Sequence, residues 1–167
     1  MGSNITKIGV ISDTHIPSCA EQIPPLVLEE FKKVDLVIHA GDLVDLSVLE
    51  TLEAVCHEVK VVCGNMDSTV IKKRFPEKEI LALGGFKIGI MHGWVAPVNL
   101  KKLLWDSFKR DGVDIIIFGH SHNSLNQTEE GILFFNPGSP TDKMFAKENT
   151  FGIITLDKKI EGKIIKL

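Results

Sequence analysis

Residues 114–122, DIIIFGHSH, decide the fold: an apolar run that ends at a glycine and two histidines. The four apolar residues after Asp114 predict a strand buried on both faces. His120 and His122 follow it two residues apart, so both can reach one metal pair if the chain bends there. In α/β proteins, sites form outside the carboxyl ends of the strands. This stretch therefore predicts an α/β fold with a site at the carboxyl edge of a buried sheet.

The same arrangement recurs at four other predicted strands. Metal-capable side chains follow residues 7–12 (KIGVIS, then Asp13 and His15), 35–39 (DLVIH, then Asp42), 58–63 (EVKVVC, then Asn65) and 86–91 (FKIGIM, then His92). An adjacent glycine, which lets the backbone come close to a ligand, accompanies four of the five strand ends. If the strands are neighbours, these side chains converge.

The remaining elements complete a mixed architecture. Helical spacing predicts helices over residues 24–34, 45–55 and 99–110, and hairpins are expected for residues 79–91, turning at Gly84-Gly85, 124–135 and 150–166. Strand–helix units followed by hairpins predict an α/β sandwich of mixed sheets covered by helices. A length of 167 residues fits one domain, residues 1–167.

Composition narrows the functional class. The net charge is −3, and the short basic runs 72–74 and 101–102 are typical of solvated faces, so a long nucleic acid is not an expected partner. No segment has the ~20 apolar residues that span a bilayer, and residues 1–7 lack a signal-peptide core. Cys19, Cys56 and Cys63 match no zinc motif, and Cys63, which lies in an apolar run, is interpreted as a buried free thiol. We therefore expect a cytoplasmic protein without membrane partners; a homo-oligomer is left open.

The ligand types indicate a metal pair. Imidazole and carboxylate together favour Mn, Fe or Zn over all-oxygen or thiolate sites. Asp42 has two oxygens and could bridge two ions, and two ions ~3.5–4 Å apart suit in-line displacement at phosphorus. Each motif alone fits an ordinary turn, and only their joint occurrence at strand ends argues for a metal site. His39 and His57 are interpreted as structural.

The ordered motif set resembles the calcineurin-like metallophosphoesterase superfamily, in its small prokaryotic phosphodiesterase branch. The resemblance rests on D-x-H (Asp13, His15), G-D-x-x-D (Gly41, Asp42, Asp45), G-N-x-D (Gly64, Asn65, Asp67), H-G (His92, Gly93), G-H-x-H (Gly119, His120, His122) and residues 136–139 (NPGS). It implies a four-layer α-β-β-α sandwich, with two mixed sheets flanked by helices.

The resemblance also implies the chemistry of the site. One metal would be held by Asp13, His15, Asp42 and His122, and the other by Asp42, Asn65, His92 and His120, with Asp42 bridging. Asp42, Asn65 and His92 are the expected catalytic residues, and Asp45 and Asp67 would orient ligands. The expected cofactors are two divalent ions, Mn in vitro, with Fe, Zn, Ni or Mg as alternatives. The expected reaction is attack of a metal-activated water on a small phosphodiester, with a nucleotide as one candidate.

Two positions depart from the family pattern. Met66 and Trp94 stand where many members have histidine, so no obvious group protonates the leaving group. We predict a slow enzyme that prefers activated leaving groups, or one that uses a proton from solvent or substrate. Trp94 could stack on a base or aryl group, and Ser139 could line the phosphate entrance; a hydrophobic cover and a plain turn are the alternatives.

Two other functions compete with a phosphodiesterase. The same branch includes the Vps29-type retromer subunit, so a metal-binding but non-catalytic interaction scaffold is the alternative. A metallonuclease for long nucleic acid is disfavoured by the acidic net charge.

Overall fold

A computed structural model of the chain describes residues 5–167. Residues 1–4 lie outside this range, and with them most of the segment 1–7 that was predicted to lack a signal-peptide core. Within this range the chain forms four helices and ten strands. In chain order these are β1 (Thr6–Ile11), α1 (Pro25–Phe31), β2 (Leu36–His39), α2 (Ser47–Glu53), β3 (Val59–Val61), α3 (Thr69–Arg74), β4 (Lys78–Leu83), β5 (Phe86–Met91), α4 (Pro97–Phe108), β6 (Ile115–Ile117), β7 (Leu125–Glu129), β8 (Ile132–Asn136), β9 (Thr150–Leu156) and β10 (Ile160–Lys166).

The strands form two mixed five-stranded sheets. The first has the order β10-β9-β1-β2-β3, and the second has the order β4-β5-β6-β8-β7. Three neighbouring strands run parallel in each sheet: β1, β2 and β3 in the first, and β5, β6 and β8 in the second. The hairpins add the antiparallel edges. The predicted turn at Gly84-Gly85 is confirmed, with both glycines at positive φ.

Alternation along the strands produces the four layers. In β1, Ile8 and Val10 belong to a buried cluster with β5, β6 and β8 between the two sheets, whereas Ile11 faces the outer cluster formed with α1 and α2. A third cluster places α4 on the outer face of the second sheet. The predicted four-layer α-β-β-α sandwich is confirmed.

In each sheet, a glycine within a strand lets a helix pack close to the sheet. A Cβ at Gly9 in β1 would lie 2.6 Å from the ring of Phe31, which ends α1. A Cβ at Gly89 in β5 would lie 2.6 Å from the ring of Phe108, which ends α4. A mid-strand glycine in each half therefore makes room for an aromatic ring, so each helix packs close against its sheet.

The observed elements differ from the predicted ones in detail. The helices expected at 24–34, 45–55 and 99–110 are α1, α2 and α4. α1 and α2 are shorter at both ends, and α4 begins and ends two residues earlier than predicted. Helix α3 was not predicted, because among its side chains only Ile71 is buried and the 72–74 run projects into solvent. Within residues 5–167, no helix is long and apolar enough to cross a membrane.

Candidate metal centre

The carboxyl ends of β1, β2, β3, β5 and β6 converge, and the loops that follow them carry all seven predicted ligands. One group, which we call the His122 half, comprises Asp13, His15 and His122. The Nε2 atoms of His15 and His122 are 3.2 Å apart. Asp13 Oδ1 lies 3.3 Å from His122 Nε2 and 3.7 Å from His15 Nε2. These three ligand atoms are close enough to one another to hold one cation.

The second group, which we call the Asn65 half, comprises Asn65, His92 and His120. Asn65 Oδ1 lies 3.1 Å from His92 Nε2 and 3.2 Å from His120 Nδ1. The amide oxygen therefore sits between two imidazoles whose ring centroids are 5.5 Å apart.

Two carboxylates lie between the halves. Asp42 Oδ2 is 3.1 Å from His92 Nε2 and 3.5 Å from His15 Nε2, as expected of a bridging position. Asp13 Oδ1 is also within 3.7 Å of His92 Nε2, and Asp13, Asp42 and His92 form a second group able to hold a cation. The sequence prediction assigned Asp13 to one metal only, whereas the geometry brings it close to both halves.

One buried oxygen at this centre lacks a hydrogen bond. Asp13 Oδ2 accepts from the Ser12 hydroxyl (2.7 Å) and from the His120 N–H (3.1 Å). Asp13 Oδ1 is buried and makes no hydrogen bond, and the nearest imidazole nitrogen is His122 Nε2 at 3.3 Å. Leaving a buried carboxylate oxygen unpaired is costly, and it faces the imidazole nitrogens of both halves. A divalent cation would supply the missing partner, so the residues fit the metal implied by the ligand types.

The supporting hydrogen bonds fix which imidazole nitrogen faces the centre. His92 Nδ1 donates to the Ala40 carbonyl at 2.7 Å, and His122 Nδ1 donates to the Asp142 carboxylate at 2.5 Å. With Nδ1 protonated, each Nε2 can present its lone pair to a metal. Asp142 was not predicted, because it lies 20 residues from His122 in an irregular loop with no local motif.

Asp67 orders the loop that carries Asp42. Its carboxylate accepts from the backbone N–H groups of Gly64 (2.7 Å), Asp42 (3.0 Å) and Val44 (2.7 Å). It therefore acts through the Asp42 backbone, while Asp42 Oδ1 itself accepts from the Met66 N–H at 2.8 Å. The orientation of a bound metal ligand by Asp67 stays a prediction, and these backbone contacts are the route by which it would act.

The electrostatics of the metal-free site are dominated by the buried charges. Burial disfavours a charged imidazole, but Asp13 and Asp42 outweigh it and raise the pKa of His92 to about 9. Burial is likewise outweighed at His122, where Asp13 and Asp142 raise the pKa to about 9. Conversely, burial is outweighed by the neighbouring histidines at Asp13, whose carboxyl pKa is lowered. Protons on the imidazoles thus stand in for cations when metal is absent.

The backbone of the ligand loops adopts an unusual conformation. Five predicted ligands have positive φ: Asp13 (55°), His15 (42°), Asp42 (58°), His120 (71°) and His122 (58°). L residues adopt this left-handed region rarely and at a cost, and such residues cluster at functional sites. Close packing requires glycine nearby: a Cβ at Gly119 would lie 2.0 Å from Ser12 Oγ, and one at Gly64 would lie 2.1 Å from Asp42 Oδ1.

The side chain of His39 contacts two of the loops that carry predicted ligands. It is fully buried, and burial lowers its pKa to about 3, so the ring is neutral. Its Nδ1 accepts from the Gly41 N–H at 3.2 Å, and its Nε2 lies 3.1 Å from the Thr14 hydroxyl. The predicted structural role of His39 is thereby given a location, between the loop of Asp13 and the loop of Asp42.

Two predicted site residues lie elsewhere. Asp45 is exposed and its carboxylate accepts from the Ser47 N–H at the start of α2, so it acts on the helix rather than on a ligand. Ser139 is fully buried; its hydroxyl donates to the Asp13 carbonyl at 2.7 Å and accepts from the Asp142 N–H. Ser139 thus braces the Asp13 loop and does not face a substrate. Both assignments are corrected.

Met66 and Trp94 both lie at the surface beside the centre. Met66 is 61% exposed and Trp94 is 52% exposed. Trp94 borders a cavity that Asn65 and His92 also line. The indole is therefore free to contact a ligand at the Asn65 half.

Comparison with known proteins agrees with this geometry. Residues 6–159 match the calcineurin-like phosphoesterase superfamily domain. The chain is 38% identical over 161 residues to a probable metallophosphoesterase of Methanocaldococcus jannaschii, covering 96% of this chain and 81% of the relative. It is 34% identical over 139 residues to vacuolar protein sorting-associated protein 29 of Schizosaccharomyces pombe, covering 79% and 71%. The solved structure of an archaeal phosphodiesterase superposes with a TM-score of 0.78 at 26% identity, covering 97% and 100%. The chain belongs to the calcineurin-like phosphoesterase superfamily.

Proposed function

We propose that this protein is a dinuclear metal-dependent phosphodiesterase that acts on a small substrate. The observation that carries the proposal is the unpaired, buried Asp13 Oδ1, which lies within 3.7 Å of Nε2 atoms from both halves. Asp13, His15, Asp42 and His122 would hold one metal, and Asp42, Asn65, His92 and His120 the other. Mn is the expected metal in vitro, since the donors are imidazole and carboxylate.

The chain's own groups prepare the site for hydrolysis. Bound divalent ions would activate a water and neutralise the phosphoryl oxygens. The Ala40 carbonyl and Asp142 hold His92 and His122 in orientation, and Asp67 holds the Asp42 loop. These fixed contacts mean that little reorganisation is needed when substrate binds.

The surroundings favour a diester over a monoester. A diester carries one negative charge and a monoester close to two, so a monoester benefits more from additional cationic side chains. The cavity beside the centre is lined by one lysine and one glutamate, Lys72 and Glu77, whose charges offset each other. An archaeal phosphodiesterase is also among the structural neighbours.

Proton donation to the leaving group is weak in this site. The Met66 side chain has no titratable proton, and the Nδ1 protons of His92 and His122 are engaged by Ala40 and Asp142. We therefore expect turnover to depend strongly on how well the leaving group departs unprotonated, with p-nitrophenyl esters far better than alkyl esters.

A two-substrate assay tests the function. Bound metal is measured first, and then bis-p-nitrophenyl phosphate and p-nitrophenyl phosphate are assayed with Mn²⁺ for wild type and Asp42→Asn. We expect two metals per chain, faster diester hydrolysis and loss of turnover in the variant. No turnover of either ester by metal-loaded protein would contradict the proposal. A monoester rate above the diester rate would contradict its substrate class.

A non-catalytic scaffold is the second candidate. Large apolar side chains are exposed near the centre, with Phe145 69% exposed and its ring centroid 6.1 Å from that of His122. Exposed apolar groups are typical of interaction surfaces. Metal-loaded protein without hydrolytic activity would favour this function.

A further inference from the structure

Two pairs of predicted ligands share one backbone arrangement, in which two residues with positive φ flank a central residue. Asp13 and His15 flank Thr14, and His120 and His122 flank Ser121. L residues keep the left-handed conformation only where the surrounding structure over-determines it. The contacts made by the two central residues therefore help to hold each pair of ligands in place.

Thr141 contacts the first pair. Thr14 is fully buried, so its carbonyl has no access to water. The Thr141 hydroxyl donates to this carbonyl at 2.7 Å, and within residues 5–167 it is the only group that does so. The N–H of the same peptide group, which belongs to His15, donates to the Asp42 carbonyl at 3.1 Å. The peptide group between Thr14 and His15 is therefore held at both its oxygen and its nitrogen.

Asn136 contacts the second pair. Its side chain is fully buried, and its Nδ2 donates to the Gly119 carbonyl at 3.0 Å and to the Ser121 hydroxyl at 3.1 Å. Its Oδ1 accepts from the Gly138 N–H at 2.9 Å, which keeps Nδ2 turned toward the ligand loop. Both protons of one buried amide are thus used on the loop that carries the two histidines.

Both supporting side chains come from residues 136–142 (NPGSPTD), which we call the support segment. Ser139 and Asp142, described above, belong to the same segment. We propose that Thr141 and Asn136 are positioning residues, which hold the two ligand pairs in the left-handed conformation that brings their side chains together at the metals. The proposal rests on the metal centre of the function proposed above, but not on hydrolysis.

Metal titration of Thr141 variants tests the proposal. Calorimetric titration of metal-free protein with Mn²⁺ measures the affinity of each site. Thr141→Val keeps nearly the same shape and removes the hydroxyl. Because the loop of Thr14 serves the His122 half, we expect one of the two affinities to fall about tenfold. Thr141→Ser keeps the hydroxyl and should retain the wild-type affinities.

Thr150→Val is the matched control. Thr150 is also buried, and its hydroxyl donates to the Pro137 carbonyl at 2.7 Å, but Pro137 adjoins no predicted ligand. Both Val variants should lower the free energy of unfolding of the metal-free protein, because each loses a buried hydrogen bond. Only Thr141→Val should also lose metal affinity, so the pair separates positioning from a general loss of stability.

Asn136→Asp tests the second contact. This change removes both donated protons at nearly constant shape. Since the loop with His120 and His122 gives one ligand to each metal, we expect both affinities to fall. The added negative charge would by itself raise the affinity for a cation, so a loss is attributable to the missing hydrogen bonds.

The outcomes distinguish this proposal from the phosphodiesterase. Unchanged Mn²⁺ affinities in Thr141→Val, or equal losses in Thr141→Val and Thr150→Val, overturn the positioning role and leave the phosphodiesterase standing. A loss in Thr141→Val that Thr141→Ser restores supports the role, whether or not the protein hydrolyses an ester. If Thr141→Val does not fold, the Asn136→Asp titration decides. Wild-type protein that binds no Mn²⁺ overturns both proposals.

Discussion

The two halves of the candidate metal centre use similar ligands but are supported differently. Two side chains support the His122 half: the Ser139 hydroxyl donates to the Asp13 carbonyl, and the Asp142 carboxylate accepts from His122 Nδ1. The Asn65 half has a neutral amide in place of a carboxylate and opens onto the cavity with Trp94. Affinity rises with ligand charge and with outer hydrogen bonds. If the proposed function holds, we expect the His122 half to bind its metal more tightly and the Asn65 half to face the substrate.

The largest expected effect comes from removing the carboxylate whose unpaired oxygen faces imidazoles of both halves. Asp13→Asn should lower kcat/KM for an aryl diester by more than about 100-fold, above the usual cost of an outer-shell change. It should also reduce bound metal, because Asp13 Oδ1 faces His15, His92 and His122. Metal content and kinetics check both effects.

Asp45→Asn is the matched control for that experiment. Asp45 is an exposed carboxylate whose contact is with the start of α2, so activity and metal content should stay near wild type. An Asp13→Asn protein that keeps two metals and wild-type turnover would exclude the proposed role of Asp13.

A subtler substitution should separate the halves. Asp142→Asn weakens the support of His122 and should lower the affinity of one metal about 10- to 100-fold, with the other metal nearly unchanged. Asp67→Asn should affect both metals, because Asp67 holds the backbone of the shared ligand Asp42. Calorimetric titration of metal-free protein resolves the two affinities. Equal losses at both sites in Asp142→Asn would refute the expected difference between the halves.

The smallest expected effect is on the pH dependence of the metal-free protein. His92 and His122 have pKa values raised to about 9 from 6.5, so the stabilisation from their protonation is complete below pH 6.5 and lost as pH rises through 9. The free energy of unfolding should therefore fall between pH 6.5 and 9.5. Metal affinity should change the other way, because metal displaces these protons.

Denaturant titrations of chelator-treated protein at several pH values measure this effect. Other groups titrate in the same range, so a His92→Asn/His122→Asn double variant serves as the reference. The variant should show a shallower fall than wild type. The same slope in both proteins would rule out these two histidines as its source.

Sequence patterns predicted the fold and the ligand loops wherever a residue able to bind a metal directly followed a predicted strand. The parallel strands and the convergence of the ligand loops followed from apolar runs such as residues 115–117 ending at Gly119-His120. Helix α3 escaped because it buries one residue and so lacks a helical apolar period. Asp142 was missed, and Ser139 was given the wrong role, because their partners are distant in sequence: Ser139 contacts Asp13 across 126 positions. Asp45 was misassigned because a motif position does not specify where a side chain points.

The left-handed backbone of the ligands bears on how this chain could change over generations. Glycine adopts that conformation without strain, so at His15, His120 and His122 it would relieve the backbone of a chain that no longer bound metal. Asp13 and Asp42 are of a type that tolerates the conformation, and each accepts a backbone N–H hydrogen bond, so replacing them would gain less. Drift toward glycine at positions 15, 120 and 122 would therefore be an early sign that a descendant no longer bound metal.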